Sequence, residues 1–181
     1  MTGRLDEYVE SLSREFPSLR FVDKRGDGFS KTIDVALRVL TFGGQSAYIS
    51  KYVTTIGSTI FLPDGWETRS EDERYVVLRH EAVHLRQFAR YGLAGMTAIY
   101  LVGGLPFGLA WGRARIEWEA YEETLRALRE VHGDAVLDEA TIRSYIVGQF
   151  TGPAYGWMWP FPRVVNRWID EAARRLRSME G

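Results

Sequence analysis

The chain has 181 residues, a formal net charge of −1 and no cysteine. That length suits a single domain over 1–181, and apolar and charged fractions of 45% and 26% are those of an ordinary globular protein. The near-zero charge excludes the basic footprint of a nucleic-acid binder, and the lack of cysteine excludes disulfides and thiolate metal sites.

In chain order, residues 4–15 suit a short amphipathic helix with Leu5, Tyr8, Val9 and Leu12 on one face. The opening stretch MTGRLDEYVESLSREF lacks a signal peptide's apolar core, so the expected compartment is the cytoplasm, unless the chain is exported by another route. Lys24-Arg25-Gly26-Asp27-Gly28 reads as a turn. Ser30 is placed to cap a helix over 31–41 that Gly43-Gly44 would stop. Residues 46–62, SAYISKYVTTIGSTIFL, are rich in β-branched and aromatic side chains. They predict two strands, or one long strand bent near Gly57, ended by Pro63-Asp64-Gly65.

Ser70 followed by Glu73 forms a capping box, and the helix it starts should run to Tyr91 with Gly92 as its stop. Further helices are predicted over about 112–132, stopped by Gly133, over about 138–149, and from about Pro162 to Ser178. The last turns Val165, Trp168, Ile169, Ala172 and Leu176 inward. Helices, then a small sheet, then helices make the fold class α+β, mostly α.

The capped helix contains His80-Glu81-Ala82-Val83-His84, an HExxH motif. Residues four apart share a helix face about 5–6 Å apart, which suits two imidazole ligands of one tetrahedral zinc. Glu81 sits about 100° round the helix from His80, where it can reach a zinc-activated water as general base without ligating the metal. Gln87 stays on the same face one turn beyond His84 and is a candidate hydrogen-bond partner for the site.

A catalytic zinc needs a third protein ligand. His132 stands in a helix's last turn, where histidine usually serves the helix terminus. Helical periodicity separates two glutamates in Glu117-Trp118-Glu119-Ala120-Tyr121. Glu117 aligns with Ala120, Tyr121, Thr124, Leu125 and Leu128, an apolar stripe, whereas Glu119 aligns with the charged residues Glu122, Glu123, Arg126 and Glu130. A carboxylate on an apolar stripe is costly unless it is paired or binds a metal, so Glu117 is the expected third ligand. An ion pair with Arg113 or Arg79 is the other use for it.

With these residues the sequence resembles the gluzincin clan of zinc metallopeptidases, and its size is similar to that of the small catalytic cores called minigluzincins. The resemblance covers about residues 45–130. It implies a zincin-like fold, with a small sheet before the HExxH helix and a following glutamate helix that supplies the third ligand. The matching positions are His80, Glu81, His84 and Glu117. The clan often has E-x-x-A-D where this chain has EWEAY, so Tyr121 replaces an acid that can orient a histidine ligand. Metzincins are disfavoured, because Gln87 and Tyr91 occupy their glycine and histidine positions. The resemblance also implies a peptide or protein substrate, laid against an edge strand for which Val53–Leu62 is the candidate. Tyr121, Tyr155 and His132 are candidate donors to a tetrahedral intermediate.

Two long runs carry no charge. Between Arg90 and Arg113, YGLAGMTAIYLVGGLPFGLAWG is long enough for a membrane span. A span would set its ends about 30 Å apart, yet His84 and Glu117 must meet on one zinc, so a helical turn, a reversal and a return are expected instead. The second run, SYIVGQFTGPAYGWMWPFP, is interrupted by Pro153, Pro160 and Pro162. Its Trp157 and Trp159 are core or cleft residues, or mark a peripheral membrane contact. The expected function is zinc-dependent peptide-bond hydrolysis. The alternative is an inactive zinc-binding or interaction protein on the same scaffold, possible membrane association included. The oligomeric state is not readable from the sequence.

Overall fold

A computed structural model describes residues 3–24, 52–102, 110–152 and 157–179. Contacts within the chain group into two compact units, Met1–Thr97 and Ala98–Gly181. Helix and strand content bears out a mostly α, α+β class with a three-stranded sheet among the described residues. The predicted turn over 25–28, the helix over 31–41 and the first part of the strand segment, 46–51, lie outside the described residues.

The first unit opens with α1 (Arg4–Glu15), which buries Leu5 and Leu12 as its apolar spacing requires. Three short strands follow: β1 (Arg20–Asp23), β2 (Thr54–Ile56) and β3 (Thr59–Leu62). Their order is β1-β3-β2, with β1 parallel and β2 antiparallel to β3. The β2–β3 hairpin turns at Gly57, whose φ of 58° suits glycine. Thr55 therefore pairs with Ile60. The strand β1 was not expected from sequence. RFVD is mostly exposed and has no buried face to write a pattern, and it becomes a strand only because β3 offers it a parallel partner.

A 3-10 turn (Trp66–Thr68) leads to α2 (Glu71–Val102). The capping box forms in both directions: Ser70 N–H donates to Glu73 Oε2 and Glu73 N–H to Ser70 Oγ, each at 3.2 Å. Glu71 also reaches α1, accepting a bond from Leu5 N–H at 3.2 Å. A bidentate pair from Arg86 to Glu15, at 2.8 and 2.7 Å, ties the other end of α1 to the same helix. Gly92 leaves the helical region with φ 67° and ψ 171°, as a stop should. The chain does not end its helix there, however. Leu93 and Ala94 follow, both strong helix formers, and a helical segment resumes to Val102 in spite of Gly95.

In the second unit α3 (Trp111–His132), a 3-10 turn (Asp134–Asp138), α4 (Ala140–Thr151) and α5 (Pro162–Ser178) enclose one core. Its centre is Phe150, Ile146, Leu125, Val165 and Ile169, all at most 1% exposed. Gly133 ends α3 with φ 80°, its N–H bonded to Arg129 O, where the sequence places the stop. Ion pairs Glu122–Arg175 and Arg143–Asp170, at 2.8 and 2.7 Å, brace the outside of the packed helices. No described helix is long and apolar enough to cross a membrane.

Candidate metal centre

The HEAVH segment lies wholly within the regular part of α2. His80 and His84 project from one face with ring centroids 5.1 Å apart, His84 buried and His80 half-buried. The Nδ1 of His84 lies 2.8 Å from Oε1 of Gln87, which is itself buried. A carbonyl oxygen only accepts, so Nδ1 carries the proton and Nε2 keeps its lone pair for a ligand. The i, i+3 spacing makes this partnership readable from the sequence.

Glu81 is buried on the neighbouring face of the helix. Its Oε2 accepts a 2.6 Å hydrogen bond from the Thr55 hydroxyl of β2, which fixes the carboxylate's direction. Among the described residues β2 is an edge strand, so of the candidate segment Val53–Leu62 the part at 54–56 lies at the edge and the part at 59–62 is interior.

Lys24, at the end of β1, is a residue that sequence reasoning missed. Its Nζ donates to Tyr52 O at 2.6 Å and to Thr54 Oγ1 at 3.3 Å. Burial pushes its pKa down to about 8, partly offset by the Glu81 charge, which favours the ammonium. An unfolded chain holds the same proton up to its ordinary pKa of 10.5. Between those values the unfolded state binds more protons, so folding stability should rise as pH increases from about 8 to 10.5. Denaturant unfolding of the wild type and of Lys24→Met isolates this contribution. The wild type should gain on the variant across that window, and a constant difference would contradict the assignment.

Glu117 lies on the buried side of α3 and is 3% exposed, whereas the Glu119 side chain is 39% exposed and faces Arg115 at 3.6 Å. The stripe argument therefore separates the two correctly. The Tyr100 hydroxyl donates to Glu117 Oε1 at 2.6 Å, and the Arg113 guanidinium lies over the Tyr100 ring at 5.5 Å. Tyr100 falls in an uncharged run with no local signal of this role. Arg79, the other ion-pair candidate for Glu117, lies over the rings of Tyr8 and Tyr75, at 5.5 and 5.4 Å.

Among the described residues, His80, His84 and Glu117 form a group that could hold a metal ion, each offering one ligand atom, all within 4.8 Å of one another. Two imidazoles and a carboxylate are a donor set that zinc accepts. Tyr121 is buried against Phe150, ring centroids 5.6 Å apart, in the core of the second unit. His132 is exposed in the last turn of α3. Tyr155 lies outside the described residues. The chain matches no family model, no curated protein and no solved structure.

Proposed function

We propose that this chain is a zinc-dependent metallopeptidase of gluzincin type, with a zincin-like arrangement of sheet, HExxH helix and glutamate helix. The observation that carries the reading is the donor set of His80, His84 and Glu117 beside a buried Glu81. A purely structural site would have no use for that acid. His80, His84 and Glu117 would hold the zinc, which when bound supplies a Lewis acid that polarises water and a substrate carbonyl.

The protein's own groups do the rest. Gln87 holds the His84 ring in the tautomer and orientation a ligand needs. Thr55 aims the Glu81 carboxylate. Glu81 takes a proton from the attacking water and returns it to the leaving amine. An extended peptide would add to the β2 edge by main-chain hydrogen bonds, which sets it beside the residue that orients Glu81.

The test is direct. Purified full-length chain supplied with zinc is incubated with a mixture of unstructured peptides, and the products are read by mass spectrometry. Internal cleavage that stops on chelation and returns with zinc supports the reading. Stoichiometric zinc without any cleavage would favour an inactive zinc-binding protein. The Gln87 contact gives a separate prediction. Gln87→Leu keeps the helix but removes the acceptor for His84 Nδ1, and zinc affinity should fall about 10–100-fold in a competition titration against a chelator. An unchanged affinity would show that the contact does not serve the metal.

A further inference from the structure

At one end of the second unit, the starts of α3 and α5 lie side by side. Ala110 N–H donates to Met158 O at 3.3 Å, and the Trp111 ring lies 5.1 Å from Trp159 and 5.9 Å from Trp168. From this ladder three large apolar side chains stand out into solvent: Trp111 is 52% exposed, Trp157 56% and Phe161 43%. Trp157 holds φ at 51°, a left-handed backbone that a bulky residue rarely adopts. A strained backbone that turns an indole outward, away from the core beside it, calls for a use of that indole.

The charge pattern says what the end faces. Residues 110–116 and 157–169 contain four arginines and no aspartate, glutamate or lysine, while all eleven acidic residues of the sequence 98–181 fall outside these two stretches. Arg163 and Arg167 are exposed at this end, as is Arg115, which also faces Glu119 at 3.6 Å. Tryptophan and phenylalanine favour the interfacial layer of a bilayer, and arginine favours anionic headgroups. An anionic bilayer complements both features at once, its headgroups the arginines and its interfacial layer the aromatic rings.

We propose that this end of the second unit docks on an anionic lipid bilayer, with Trp111, Trp157 and Phe161 in the interfacial layer and Arg163 and Arg167 on lipid phosphates. The contact is peripheral and independent of the metal centre.

The experiment is flotation of the full-length chain with vesicles of phosphatidylcholine, alone or mixed with phosphatidylglycerol, at low and high salt. Binding is expected to the mixed vesicles only, to weaken with salt, and to shift tryptophan emission to shorter wavelength. Arg163→Glu with Arg167→Glu should weaken binding at least about thirtyfold, from about 1 kcal/mol for each arginine near the surface. Arg163 lies in the first turn of α5, where glutamate suits the helix dipole, so this variant should fold. Trp157→Ala should weaken binding to the same vesicles and abolish part of the emission shift. No flotation with the mixed vesicles at low salt overturns the proposal, as does flotation unaffected by the charge reversal. A dimer in sedimentation that Trp157→Ala dissociates, without vesicle binding, would assign the face to a second copy of the chain and likewise overturn it.

Discussion

Glu81→Gln should lower peptide hydrolysis by about 10²–10⁴-fold while leaving zinc content at one ion per chain. The substitution is nearly isosteric, and the amide oxygen still accepts from the Thr55 hydroxyl, so that contact is kept. What the amide cannot do is accept and return a proton. Glu81 is not proposed as a ligand, so the metal should stay. The informative measurement pairs metal analysis with single-substrate kinetics on the same preparation. Full activity in this variant would sink the mechanism, whereas loss of zinc would mean that Glu81 ligates the ion.

The second large effect is expected at Glu117. Glu117→Gln keeps the side chain's shape and an acceptor for the Tyr100 hydroxyl but removes the negative charge. A neutral amide is a poor zinc ligand, so affinity should drop by more than about 100-fold, beyond the loss typical of a supporting contact. Hydrolysis at limiting zinc should fall with it. Glu119→Gln is the matched control: two residues away, half exposed beside Arg115, it should change neither zinc affinity nor rate. Equal effects at the two positions would refute the choice of ligand.

The same pair of glutamates shows how far periodicity carries. Whether a residue on a helix faces a core depends on its angle round the axis, and that angle follows from spacing alone. Glu117, with Ala120, Tyr121 and Leu125, was therefore legible, as were the Ser70–Glu73 box and the Gly133 stop. Gln87 was legible as a candidate hydrogen-bond partner for the site for the same reason, since it lies on the face of His84 within a turn. Tyr121 illustrates the limit. Its stripe position is right, but the same position that makes it a neighbour of Glu117 in sequence also buries its ring against Phe150.

By itself, then, the sequence determined the described helices as far as Gly92 in α2, the Ser70–Glu73 cap, the Gly133 stop, the change of direction at Gly57 and the spacing of His80, Glu81 and His84, because each rests on interactions between residues a few positions apart. Only the tertiary structure decided that RFVD is a strand, that Thr55 aims Glu81, that Lys24 sits buried beside Tyr52 and Thr54, and that Tyr100 holds Glu117. Each of those contacts joins residues 17 to 39 positions apart. No local periodicity encodes such pairings, since the free energy that selects them comes from burial and from satisfying polar groups once the chain has closed on itself.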